Sequence, residues 1–486
     1  MFNIIRVIIF LVIFMNLYKN SDNNKRYYTL DYYYRKKFNC RIAKLCIDAP
    51  FTCPNIDGTK GYGGCIYCTP SNNLKSIEDQ IEEQKKIIDK KWPNAKYIAY
   101  LQSHSNTYGS IDKLKSLYEP LLKVDNVIGL SIGTRVDCII PECLDYLEDL
   151  SKRTYLTIEL GLQTIHEKTS KLINRCHTLE EFEKMVKELK KRNINVVVHI
   201  IDGLPFETKE MMLETIKYLN KLHIDGIKIH MLFIDKNAPI KNLKFKMLTK
   251  EEYIDIICDQ IEELDPNIVI HRLTGDGNKD TLIEPLWSLK KISLLNDIDK
   301  CLAKRNTFQG FNKTIQNKVN QIIIEYLKPN DLVIDATIGN GHDSAFILPL
   351  IPKGHLYGFD IQEEAITNTK RILKETNYTL YNISHENMLE TLKLENKISL
   401  IIFNLGYLPG NNKEIKTNYK STIKAIKDGI KLLNNKGIIL ITIYPGHKEG
   451  LEESIKINDF LKNMNHNIYR NTDNPKAPYL ITIKKF

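Results

Sequence analysis

Residues 53–68 read C-P-N-I-D-G-T-K-G-Y-G-G-C-I-Y-C, which spaces Cys53, Cys65 and Cys68 as C-x11-C-x2-C. Structural zinc takes four ligands and closes its shell. Three thiolates on a four-iron, four-sulfur cube leave one iron open, and an open iron can hold an exogenous ligand. The amino and carboxylate groups of S-adenosylmethionine can chelate that iron; electron transfer then breaks a carbon–sulfur bond and releases a 5′-deoxyadenosyl radical. Gly61, Gly63 and Gly64 let the loop wrap closely around a bulky cluster. A zinc site that borrows Cys46 or a distant histidine is the competing reading of this stretch.

A second constellation runs D-A-T-I-G-N-G-H-D from Asp335 to Asp343, after a strand pattern and before a helix that opens near Ser344. Glycines at such a turn let the backbone approach a ligand, and Asp360, ending the next strand, can accept both ribose hydroxyls. The pair suits a dinucleotide or S-adenosylmethionine. A dinucleotide fingerprint wants a third glycine where Asp343 stands, and a carboxylate there repels pyrophosphate but tolerates a sulfonium cation. The methyl donor is therefore favoured. Further on, F-N-L-G-Y-L-P-G (403–410) sets Asn404 at a strand end. Many amine methyltransferases hold an Asn there, in N/D-P-P-Y, to orient the attacking nitrogen; an ordinary strand-end turn is the alternative.

These residues need elements to position them. Apolar β-rich runs at 44–47, 97–101, 127–132, 156–160, 196–201, 227–232 and 268–271 alternate with helical patterns such as LEEFEKMVKELKKR at 179–192. Such alternation predicts a parallel sheet, and six or seven units in series predict a partial or full βα (TIM-like) barrel over 41–300. Chemistry in barrels collects where strand C-termini meet their loops, and the cysteine loop follows the first strand. Residues 301–316 are polar, break the rhythm and read as a linker. Strands at 332–335, 356–360, 400–404, 437–443 and 479–483 then predict a Rossmann-like, doubly wound α/β domain over 317–486.

All ten cysteines lie between Cys40 and Cys301, which suits reduced thiols rather than a secreted disulfide scaffold. A net charge of +10 fits a nucleic-acid partner, although Lys, Asn and Ile abound throughout. Val7–Met15 is an unbroken apolar run, shorter than the ~20 residues that span a bilayer. It is followed by basic, acid-poor sequence, so residues 1–40 read as a signal-plus-transit address for a complex plastid. A mitochondrial address or a plain secretory signal are the alternatives, and no stable membrane association is expected after processing.

Longer segments carry resemblances. Residues 51–68, 100–108 (YLQSHSNTY), 132–137 (IGTRVD), 158–177 (IELGLQTIHEKTSKLINRCH), 199–208 (HIIDGLPFET) and 270–277 (IHRLTGDG) resemble the YtqA-type radical-SAM family, related to the Elongator catalytic subunit. The resemblance implies Cys53, Cys65 and Cys68 as cluster ligands. It places Gln102, Ser103, Glu159 and Gln163 around S-adenosylmethionine or substrate, with His199, Asp202, Gly203, His230, His271 and Arg272 toward the same mouth. Arg135 and Asp137 either pair with each other or grip substrate. Cys138, Cys143, Cys176 and Cys258 have no ligand-like spacing and read as free thiols.

Residues 333–343, 357–369 (YGFDIQEEAITNT), 402–410, 441–450 (ITIYPGHKEG) and 474–485 (NPKAPYLITIKK) resemble YtqB-type methyltransferases, which act on 5-aminomethyl-2-thiouridine in tRNA. This likeness implies that Gly339, Asn340, Gly341, His342, Asp360, Gln362, His385 and Glu386 surround the methyl donor. Asn404, Tyr407 and His447 would face the substrate, His447 being a candidate base. Pro445 stands where the family usually has a histidine. Together the two resemblances imply consecutive steps on a wobble uridine, from carboxymethylaminomethyl to aminomethyl to methylaminomethyl. A tRNA anticodon stem-loop and an electron donor such as ferredoxin or flavodoxin would be the partners. A ribosomal-RNA methyltransferase fused to a radical enzyme of a small molecule or protein is the alternative.

Overall fold

The computed structural model describes residues 18, 20–69, 75–275, 277–405, 418–472 and 474–485. The chain forms two compact units, Met1–Phe311 and Asn312–Phe486.

In the first unit, β1 (Ile42–Ile47), β2 (Lys96–Leu101), β3 (Val127–Thr134), β4 (Tyr155–Gln163), β5 (Asn195–Asp202), β6 (Gly226–Met231) and β8 (Val269–Arg272) form one sheet in that order. Every pairing is parallel. A sheet that advances one strand at a time in chain order curls into an open barrel with its helices outside. Alternation within each strand decides what faces where. Leu156, Ile158, Leu160 and Leu162 are buried in the main core, whereas Thr157, Glu159 and Gln163 take the other face. That second face lines the lumen and is polar. Outside, the helix Leu179–Lys191 buries Phe182, Val186 and Leu189 at helical spacing and opens on a Thr178–Glu181 capping box. Two short strands the sequence did not announce, β7 (Ile234–Asp235) and β9 (Leu282–Glu284), pair antiparallel.

The expected leader at 1–40 needs correction over its described part. Thr29 bridges Ile270 of β8 in parallel, and a helix, Leu30–Phe38, follows, capped by the Thr29 side chain and closed by Asn39 in a left-handed conformation. Tyr34 in that helix is 3% exposed, and Tyr34 and Phe38 meet the Tyr155 ring edge-on at 6.1 and 5.2 Å. Aromatic density, which looked like transit-peptide composition, supplies buried area. Tyr18 and the described residues from Asn20 onward therefore pack with the domain, while Val7–Met15 lies outside the described residues. The expected linker is also largely structured: the helix Lys291–Arg305 fills its start and the helix Ile315–Tyr326 its end. No helix among the described residues is long and apolar enough to cross a membrane.

The second unit is a seven-stranded sheet of β10 (Leu332–Asp335), β11 (His355–Phe359), β12 (Tyr378–Tyr381), β13 (Ile398–Asn404), β14 (Leu433–Ile443), β15 (His466–Tyr469) and β16 (Tyr479–Lys484). Their order is β12-β11-β10-β13-β14-β16-β15, parallel except that β16 runs against both neighbours. Ile334, Phe359, Ile401 and Ile439 pack into one core while Val333, Leu356, Leu400 and Leu440 pack into another, so both faces are covered. Strand order reverses between β10 and β13. The ligand crevice of an open sheet lies at that reversal, beyond the strand C-termini.

Candidate functional site

In the first unit the cysteine loop leaves β1 and is stitched from three sides. Ser105, beyond β2, has its hydroxyl 3.2 Å from Cys53 Sγ, and its backbone N–H donates to Thr52. Asn55 donates to Cys65 Sγ at 3.3 Å and to the Asn174 carbonyl at 3.2 Å. Asn174 in turn donates to the carbonyls of Tyr62 and Gly64. Gly63 and Gly64 both have positive φ, as a tight wrap requires. The three thiols feel one another. Cys68 is pushed up to about 12 by burial and then by Cys65 and Cys53, and Cys53 is raised by burial against the Ser105 hydrogen bond.

No group of three His, Cys, Asp or Glu side chains among the described residues is gathered closely enough to hold a single metal ion. A cube takes its ligands at separate corners, so three thiols that serve one need not converge on a single point. The donor set, with glycines around it, fits a [4Fe–4S] cluster bound through Cys53, Cys65 and Cys68. Cys176 lies beside the loop: a Cβ on Gly61 would meet its sulfur at 3.1 Å, and its thiol donates to Asn174 Oδ1 at 3.1 Å.

Other residues of this half divide. Gln102 and Ser103 do follow β2, and the Ser103 hydroxyl donates to Asp48. Gln163 ends β4 at positive φ with its amide folded back over Gly161. Arg135 and Asp137 form a two-pronged buried pair at 2.9 and 2.8 Å, joined by Lys60 of the cysteine loop at 3.3 Å. Burial opposes charge on Asp137, and the guanidinium overcomes it. The pair therefore braces the rim.

Glu159 is not at the mouth but inside the lumen, fully buried, with both oxygens engaged. Oε1 accepts from Lys44 Nζ at 2.7 Å and Ser131 Oγ at 2.6 Å; Oε2 accepts from Lys228 Nζ at 2.5 Å and His199 Nε2 at 2.7 Å. Burial opposes its ionisation, but the two ammonium groups hold it far below the ordinary carboxylate range. Asp202 points the other way, toward the helix Lys250–Glu263, where Gln260 donates to its Oδ1 at 2.8 Å. Burial raises it to about 7, and it is not a mouth residue.

In the second unit the crevice gathers most of the expected residues. Gly339 N–H donates to Asp360 Oδ2 at 2.9 Å, and Gln362 N–H donates to Oδ1 at 2.9 Å. Gly341 is in a left-handed conformation with the Thr369 hydroxyl 2.6 Å from where a Cβ would stand, so no other residue fits. Asn340 Oδ1 accepts from Asn368, and His342 begins the following helix. His385 holds Ala336 O at 3.1 Å; burial keeps its ring neutral. Glu386 lies in the same short turn.

Asn404 ends β13, its backbone N–H on the Thr337 hydroxyl and its amide nitrogen donating to Asp343 Oδ2 at 3.2 Å. Gln316 donates to the other Asp343 oxygen at 2.7 Å. Asp343 therefore fixes which way the Asn404 amide points, a role that its place in a glycine motif concealed. His447 caps the helix Lys448–Leu461, its Nδ1 accepting from Gly450 N–H at 2.9 Å, which puts the ring proton on Nε2. Tyr407 lies outside the described residues.

Comparisons agree with this division. The Radical SAM superfamily model matches residues 60–219 and the Radical_SAM C-terminal domain model 224–304, while the rRNA_methylase model ("Putative rRNA methylase") matches 356–478. The chain is 40% identical over 306 residues to the uncharacterized protein YtqA of Bacillus subtilis, covering 61% of this chain and 95% of that one. It is 34% identical over 157 residues to the chloroplastic tRNA (mnm(5)s(2)U34)-methyltransferase of Arabidopsis thaliana, over 29% of this chain and 57% of that protein. A solved Clostridium thermocellum structure described as a "putative rRNA-methylase" is 34% identical, covers 36% of this chain and 98% of its own, and has a TM-score of 0.34.

Proposed function

The chain belongs to the radical-SAM family that includes YtqA, with a methyltransferase fused behind it, and we propose that it performs two successive modifications of the wobble uridine of tRNA. It is an enzyme whose cofactors are a [4Fe–4S] cluster with S-adenosylmethionine in the first half and S-adenosylmethionine in the second. The cluster supplies the one-electron cleavage of S-adenosylmethionine that makes hydrogen-atom abstraction available. Ser105 holds Cys53, and Asn55 with Asn174 holds Cys65. The substrate is a 5-carboxymethylaminomethyluridine. A 5′-deoxyadenosyl radical would take one hydrogen atom from the carboxymethyl carbon beside nitrogen, and a one-electron acceptor of the iron–sulfur class would take the remaining electron. Water adding to the resulting imine would break its carbon–nitrogen bond, releasing the two-carbon unit as glyoxylate and leaving a primary amine.

In the second half that amine is methylated. Asn404 donates to Asp343, which leaves its carbonyl oxygen to accept from the substrate N–H and aim the lone pair at the methyl group. The catalytic contribution is then orientation. The base would sit above pocket walls built from Gly339, Asp360 and Gln362, splayed out of the anticodon loop. An electron donor of the ferredoxin or flavodoxin class would serve the cluster.

The observation that carries this reading is the union, in one chain, of the three-thiol domain with a half similar to a tRNA (mnm(5)s(2)U34)-methyltransferase. That relative's chloroplastic name supports import into a plastid. Anaerobic incubation with carboxymethylaminomethyl tRNA tests the reaction. Nucleoside digestion should yield methylaminomethyluridine. The methylase model also allows a ribosomal substrate; label appearing in ribosomal RNA, with the wobble nucleoside unchanged, would move the second half there.

A further inference from the structure

Each strand from β1 to β6 sends one polar side chain into a single layer of the lumen: Lys44, Tyr100, Ser131, Glu159, His199 and Lys228. Barrel interiors of this kind are usually filled by branched apolar residues. Here one carboxylate serves two ammonium groups. Lys44 and Lys228 have no second carboxylate partner among the described residues. Lys44 donates to Glu159 and Ser131, and Lys228 to Glu159 and Tyr100, so each uses two of its three N–H groups.

Among the described residues the neighbours supply no negative charge. Burial keeps His199, His230 and His271 neutral and holds the Tyr100 phenol and Cys46 thiol protonated. Arg272, on β8, adds positive field at Lys228. Two polar atoms in this part of the lumen are also buried without a hydrogen-bond partner, His230 Nε2 and His271 Nδ1. The His230 ring stands 5.3 Å from that of His199, and a Cβ on Gly226 of β6 would meet His271 Nε2 at 2.7 Å.

We propose that this layer is a carboxylate-binding site, in which Lys44 and Lys228 receive the carboxylate of the substrate side chain and His199 and His230 flank it. The inference rests on the tRNA reading above and names the part of that substrate which the lumen holds. A bound anion restores the charge balance that a buried two-to-one cluster lacks. It also favours the charged form of Lys228, which burial, Lys44 and Arg272 together depress to about 7 against the pull of Glu159. Binding therefore takes up protons, and affinity falls as pH rises through and above that value.

The test uses the full chain with its cluster and S-adenosylmethionine, and calorimetry with two nucleosides. 5-Carboxymethylaminomethyluridine carries the carboxylate; 5-methylaminomethyluridine has the same secondary amine without it. At about one unit below the Lys228 value the first should bind at least ~10-fold more tightly, and the preference should shrink about one unit above it. Lys228→Gln and Lys44→Gln should each erase the preference while leaving the control nucleoside unaffected. Equal affinities at both pH values, including no binding of either, overturn the site, as does a variant that weakens both nucleosides alike. The wild-type pH comparison stands even where a variant fails to fold. A carboxylate preference without conversion of tRNA refutes the reaction and keeps the site; conversion without the preference refutes the site alone.

Discussion

At the scale of single residues, the three thiols of the loop are separated from a fourth by what each can reach. Cys176 is tied to Asn174 next to the loop, yet its spacing and its hydrogen bond make it a support. Replacing Cys53, Cys65 or Cys68 by Ser should abolish the visible absorbance of anaerobically purified protein and its iron content. Cys176→Ser should keep both; loss of the cluster in that variant would make Cys176 a ligand and close the open iron. Orientation rather than charge is at stake at Asn404. Asn404→Ala should lower kcat for methylation about 100-fold with little change in the KM for S-adenosylmethionine. Asp343→Ala should cost about tenfold by freeing the amide to turn. A fully active Asn404→Ala protein would remove the amide from the mechanism.

Elements decide where those side chains end up, and the helix Leu30–Phe38 is the least expected of them. Tyr34→Ala empties a buried aromatic site and should destabilise the first unit by about 3–5 kcal/mol, read as a lower Tm. Asp202, facing the helix layer, sets a pH dependence. Its folded pKa of about 7 exceeds the unfolded value, so the folded state holds the proton longer and stability declines as pH climbs from the unfolded pKa toward about 7. Asp202→Asn should match wild type near the acid end of that window and exceed it in Tm above its top. An unchanged difference across the window would mean the group is ionised throughout.

The parallel α/β character of both halves was legible because β and helical periods alternate along the chain, whereas β12 and β15 and the antiparallel run of β16 were not. Cys53, Cys65 and Cys68 were legible as a local spacing, and so was the glycine turn before His342. Glu159 was not: its partners Lys44 and Lys228 lie 115 and 69 positions away, brought in only when the sheet curls. Asn174, 119 positions from Asn55, was hidden for the same reason. Tyrosine-rich sequence before β1 resembled a transit peptide because composition does not register which ring becomes buried.

For the whole molecule, each unit carries its own core and its own strand-end crevice, so the two chemistries can be disabled one at a time. Removing a thiol should leave the second core intact, and removing the Asn404 amide should leave the first. In the full chain, Asn404→Ala should convert carboxymethylaminomethyl tRNA only as far as aminomethyl. Cys65→Ser should leave that substrate untouched yet still methylate tRNA supplied in the aminomethyl form. Mixing the two variants should restore methylaminomethyluridine, because the intermediate is a stable tRNA that can leave one chain and enter another. The rate of the mixture relative to wild type then measures transfer between halves: a fall at low protein concentration, absent from the intact enzyme, indicates that one chain ordinarily completes both steps. If the Cys65→Ser chain cannot methylate aminomethyl tRNA, while its methyl-donor binding is intact, the second half does not act on the product of the first and the order of the two steps is wrong.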